Sequence, residues 1–122
     1  MAKIEAILGA MDRINSEMKS VVSAPPEARN RQIVGLRQEF SAETGNLLCE
    51  LPSDDRLISQ PALFDEFQER LDDVRTSLVN HQARWPICNI DERRDDYLIA
   101  TETVHSKIAD YIGWAKSSLA RD

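Results

Sequence analysis

Two histidines, two cysteines and 21 carboxylates are the side chains in this 122-residue chain with the clearest chemistry. His81 and His105 are candidate ligands, bases or phosphoryl acceptors, and Cys49 and Cys88 are candidate thiol nucleophiles. A metal needs several of them at one point. Helical bundles that hold paired metals use a Glu-x-x-His motif twice. Glu102-Thr103-Val104-His105 has that form once, but Leu78 stands three residues before His81. If a hairpin turns around Cys88, His81 lies level with about residue 95. His105 is then about 15 Å further along the axis. The expectation is no metal and no cofactor. Cys49 falls level with about residue 63, at the far end from Cys88. An intrachain disulfide needs Cα atoms within about 7 Å, so none is expected.

His105 has a second use. The run Val104-His105-Ser106-Lys107-Ile108-Ala109 resembles the phosphoryl-accepting turn of histidine phosphotransfer domains, which are four-helix bundles. The family places its basic residue three positions on and Gly four on; here Lys107 is two on and Ala109 four on. The resemblance implies His105 as acceptor and Lys107 as the balancing charge. The reaction needs Nε2 in solvent for in-line attack. A helical wheel sets His105 about 60° from the centre of its stripe, a half-accessible boundary position. Arg75 and His81, six residues apart, resemble the Arg/His pair of the HEPN ribonucleases, which implies a nuclease centre at those two residues. One helix would turn them about 120° apart. Cys88 precedes a helix, where a thiolate is stabilised.

Four stretches must position these groups. Ile4, Ile7, Leu8, Met11, Ile14, Met18, Val21 and Val22 recur at steps of three and four, which predicts a helix over about 2–22. Pro25 and Pro26 stop it. A second helix, about 26–51, carries Ile33, Leu36, Phe40, Thr44, Leu47 and Leu51. Gly35 and Gly45 weaken it, or allow close packing. Pro52-Ser53-Asp54-Asp55 reads as a turn. Ser59-Gln60-Pro61 reads as a cap for a third helix, about 60–85, with Phe64, Phe67, Leu71, Val74 and Leu78. Asn89 and Glu92 form a capping-box pattern for the last helix, about 89–119. Its stripe is Tyr97, Thr101, Val104, Ile108, Tyr111, Ala115 and Leu119. Links of about four to eight residues make sequence neighbours antiparallel. The fold expected is all-α, an antiparallel up-down-up-down four-helix bundle in one domain over 1–122.

Composition narrows the function. Hydrophobic content is 42% with only 6% aromatic, which suits an aliphatic helical core. The net charge of −6 repels phosphate backbones, so no nucleic-acid partner is expected. No apolar run reaches about 18 residues, so neither a membrane span nor a membrane partner is expected. The expected location is the cytoplasm, where cysteines stay reduced. Each catalytic reading lacks a second residue that it requires. The reading that remains is a non-enzymatic module that binds a protein partner or itself. Its expected contact surface is the outer face of the last helix, with Ile99 among small and acidic residues, and the aromatic pair Tyr111 and Trp114. The wheel places Trp114 about 120° from the stripe, turned outward.

Overall fold

A computed structural model describes residues 2–22, 24–86, 90 and 93–120. The elements are α1 (Ala2–Val21), α2 (Pro26–Glu50), a 3-10 turn (Leu51–Ser53), α3 (Asp55–Ile58), α4 (Pro61–Arg84) and α5 (Arg94–Ala120). The protein is all-helical, and no strand occurs among the described residues. The Asn89–Glu92 capping pattern and Cys88 lie outside them. Among the described residues, no helix is long and apolar enough to cross a membrane.

The turn expected after α2 is in fact two helical pieces. Pro52 sits in the first turn of the 3-10 segment, where its missing N–H costs nothing. Asp54 then caps α3, its Oδ1 accepting the Arg56 N–H at 2.9 Å. The Arg56 guanidinium donates to Asp54 Oδ2 at 2.9 Å and to both Glu5 oxygens at 2.6 and 3.0 Å. This clamp joins α3 to the first turn of α1. Hydrogen bonding from Arg56 holds the Glu5 and Asp54 carboxyls below their ordinary pKa values. Ser59 does not cap α4 as expected. Its hydroxyl donates to the Arg56 carbonyl at 3.1 Å, and Gln60 takes the cap position without a side-chain capping bond, its Nε2 donating back to the Arg56 carbonyl at 3.1 Å.

The apolar stripes meet in one core. Ile4, Leu8, Met11 and Ile14 from α1 are buried with Ile33, Phe40 and Leu47 from α2. Phe67, Leu71 and Val74 from α4 join Tyr97, Ile108, Tyr111 and Leu119 from α5. Each large aliphatic so enclosed contributes about 1.5–3 kcal/mol. The closest helix pairs are α1 with α2, α1 with α5, and α4 with α5. Because α5 is flanked by two helices, it buries a wider face than one stripe, adding His105, Ile112 and Ser118. Phe64 and Leu78 of α4 are only partly buried. The side of α4 that carries Leu78 faces α2 across a groove and not in tight contact.

Residue numbers rise along α5 as their partners fall along α4. Thr101 meets His81, Lys107 meets Ser77 and Asp73, and Tyr111 meets Phe67. The two helices therefore run in opposite directions. At the other flank, Arg94 at the start of α5 donates to the Val22 carbonyl just past the end of α1.

Gly35 and Gly45 do not serve close packing. A Cβ at either would meet nothing within 4 Å, and the same holds at Gly113 in α5. A helical glycine in open space carries only its entropy penalty. Gly113→Ala should therefore raise stability by about 0.5–1 kcal/mol in urea unfolding. A loss of stability would show that the surface at Gly113 is more crowded than this.

Candidate functional site

Three buried polar side chains, Asn15, Thr101 and His105, gather between α1, α4 and α5, whereas Arg29 and Thr44 are buried on α2. Asn15 occupies a step of the α1 stripe: Ile4, Leu8, Met11, Asn15 and Met18 follow spacings of four and three. Its side chain is buried for that reason, and it needs partners there. It finds them on one residue. Asn15 Nδ2 donates to the His105 carbonyl at 3.1 Å, and Asn15 Oδ1 faces His105 Nδ1. Since Nδ2 is committed to donation, Oδ1 accepts from Nδ1–H, which selects the tautomer with Nε2 unprotonated.

His105 is only 5% exposed, which corrects the boundary position expected from its wheel angle. The wheel considered one stripe, whereas α1 closes over the adjacent face. Burial is the main cause that lowers the His105 pKa to about 4, and the charges of His81 and Lys19 add to it. An imidazole so enclosed does not offer Nε2 to an incoming phosphoryl group. Lys107 is also engaged elsewhere, donating to Ser77 Oγ and pairing with Asp73, both at 2.9 Å.

His81 stacks on Tyr97 with ring centroids 5.8 Å apart, and its Nε2 lies 3.5 Å from Thr101 Oγ1. It is thus level with Thr101 and not with residue 95. With His81 against both Tyr97 and Thr101, the hairpin register is shifted by up to about six residues from one centred on Cys88. That shift brings His81 and His105 to within about one helical turn along the axis. Both line a cavity of about 20 Å³ shared with Met18, Tyr97 and Val104. The expected 15 Å separation is therefore corrected. Desolvation, followed by the Arg37 charge, lowers the His81 pKa to about 4. Among the described residues, no group of three His, Cys, Asp or Glu side chains is placed to hold a metal.

Arg75 does not approach His81. It lies on the exposed side of α4, 3.5 Å from Asp72, while His81 turns toward α5. Cys49 is an exposed free thiol.

The three residues expected to meet a partner separate. Tyr111 is buried, its hydroxyl donating to the Phe67 carbonyl at 3.3 Å, and burial raises its pKa beyond the ordinary tyrosine range. Trp114 is half-buried, 4.8 Å from Phe67 between centroids, with the Arg70 guanidinium 4.4 Å above its ring. The indole is covered by α4 of its own chain, through an aromatic contact and a cation–π contact. This corrects the outward placement. An angle of 120° from the stripe centre points at a neighbouring helix when that helix is close. Ile99 alone stands as expected, 69% exposed, beside Leu98 at 37%.

Sequence reasoning missed Asn15 and Arg37. The four-three step through Asn15 was the available signal. Arg37 follows Leu36 in α2 and reaches across to donate to the Trp85 carbonyl at 3.0 Å, a contact that no local pattern encodes.

No family model, curated protein or solved structure matches the chain, so its site rests on this geometry.

Proposed function

We propose that this protein is a non-enzymatic interaction module. In this reading α1, α2, α4 and α5 form an antiparallel up-down-up-down four-helix bundle, and the outer face of α5 receives a protein partner or a second copy. The observation that carries it is the adjacent pair Leu98 and Ile99, aliphatic side chains left in water on a well-formed helix. Asp95, Asp96 and Glu102 surround them with exposed charge. An apolar centre with a charged rim is the usual anatomy of a protein contact. The acid around it and the net charge of −6 favour protein over nucleic acid.

The enclosed His105 and the divergent Arg75 and His81 leave the phosphotransfer and nuclease readings without an assembled centre. The titratable groups of the core act instead as internal packing and hydrogen-bonding partners.

The test separates fold from association. Ile99→Asp should leave the thermal midpoint nearly unchanged, because the side chain is mostly in solvent. It should abolish the adduct formed by a photocrosslinking residue at position 102, whether with a second copy or with a partner. A crosslinker at position 102 that yields no discrete adduct, or the same adduct after Ile99→Asp, would defeat the proposal.

A further inference from the structure

We propose that the groove between α2 and α4 receives an amphipathic helix of a partner protein whose apolar residues are flanked by carboxylates. This rests on the interaction-module reading but uses a different face from Leu98 and Ile99. Unlike α1 with α2, α1 with α5 and α4 with α5, the described residues of α2 and α4 do not close tightly on each other. Between them lies a groove of about 300 Å³. Phe40, Leu48 and Leu78 line it, and Val79 stands 63% exposed within it. Its α2 wall extends from Arg37 to Leu48, about 16 Å or three helical turns. That length and apolar lining suit a short helix laid into a seam.

Charge selects the occupant. The protein is acidic overall, yet no carboxylate lines this groove, whereas Arg37 and Arg75 both do. Arg75 has an exposed partner in Asp72 at 3.5 Å. Arg37 is half-buried and makes no ion pair among the described residues; its hydrogen-bond partner is the neutral Trp85 carbonyl. Burial lowers its pKa, the direction expected of a cation held without a counter-charge. Arginine stays charged nonetheless, so a carboxylate entering the groove would gain a charge-assisted, partly desolvated contact. The larger groove between α1 and α2, about 740 Å³, differs in this respect. There Arg13 already pairs with Glu17 at 2.8 Å and with Glu39 at 3.5 Å.

The probe is a synthetic helical peptide of about twenty residues, long enough to hold a helix. It carries leucines at three-four spacing flanked by glutamates. A control carries lysine at each glutamate. Binding to the whole protein is measured by titration calorimetry, and the contact is located by amide chemical-shift changes. The glutamate peptide should bind at least about tenfold more tightly than the control and weaken with salt. Arg75→Glu and Val79→Glu, both at exposed positions, should each reduce affinity about tenfold with circular dichroism unchanged. Ile99→Asp should not affect it. The proposal is overturned if the glutamate peptide does not bind, if the lysine peptide binds equally, or if both groove variants bind like the unaltered protein. Self-association that Arg75→Glu abolishes would assign the groove to a second copy and overturn it too. Loss of the α5 adduct on Ile99→Asp, with any of these results, would leave the interaction-module reading standing while removing this groove from it.

Discussion

Phe67→Ala is expected to destabilise the protein by about 3–5 kcal/mol and to move the emission of Trp114 toward that of an indole in water. Phe67 is fully buried, and its ring touches both other members of its aromatic cluster. Its ring meets Tyr111 edge-on at 6.4 Å and Trp114 at 4.8 Å, and its carbonyl accepts the Tyr111 hydroxyl. Alanine removes the floor under the indole and leaves a cavity beside Leu71 and Tyr111, which surrounding backbone fills only in part. Arg70 then loses a well-placed ring face. Urea unfolding gives the energy. Fluorescence in a Trp85→Phe background gives the environment of Trp114 alone. Leu71→Ala and Ile108→Ala, at equally enclosed positions, should cost about 2–5 kcal/mol each without the spectral change. A loss below about 1 kcal/mol for Phe67→Ala, with unchanged emission, would show that α4 does not cover Trp114.

Acid should loosen the fold well before its carboxylates titrate. His105 has an ordinary pKa of 6.5 and is lowered to about 4 by burial in the core, with His81 and Lys19 adding to the effect. The native state thus favours neutral His105, while the unfolded chain takes up the proton first. Stability from this group is complete above pH 6.5 and is lost as the pH falls from 6.5 toward 4. The interval corresponds to a loss on the order of 3 kcal/mol. His81, lowered in the same direction mainly by desolvation, adds to the loss in the same window. Glu5 and Asp54 act lower. Arg56 holds their pKa values down, so their contribution disappears only as the pH falls through and below the usual carboxylate range. The measurement is the urea midpoint between pH 7.5 and 4.5, compared with His105→Gln. The variant should start less stable, because the Asn15 pairing is disturbed, and should lose less on acidification. Equal losses in both proteins would mean that His105 titrates as it would in water.

Helical periodicity, proline and turn chemistry are local properties, and they determined the long helices by themselves. The three-four steps through Leu8, Phe40, Leu71 and Ile108 identify core residues because an α-helix returns to the same face at that spacing. Prolines at positions 25, 52 and 86 mark breaks because the ring removes a donor and clashes with the preceding turn. The exposure of Ile99 also follows from its phase alone. Tertiary structure decided the rest. The register of α4 against α5 depends on the path of the connection, and it brings His81 level with Thr101 and close to His105. Whether a residue beside the stripe is buried depends on which helix stands there. α1 closes over His105 and supplies Asn15, and α4 supplies Phe67 and Arg70 to cover Trp114. The open seam between α2 and α4, with Arg37 inside it, depends on how far apart α2, packed on α1, and α4, packed on α5, are held. A pattern that repeats every 3.6 residues carries no information about that distance.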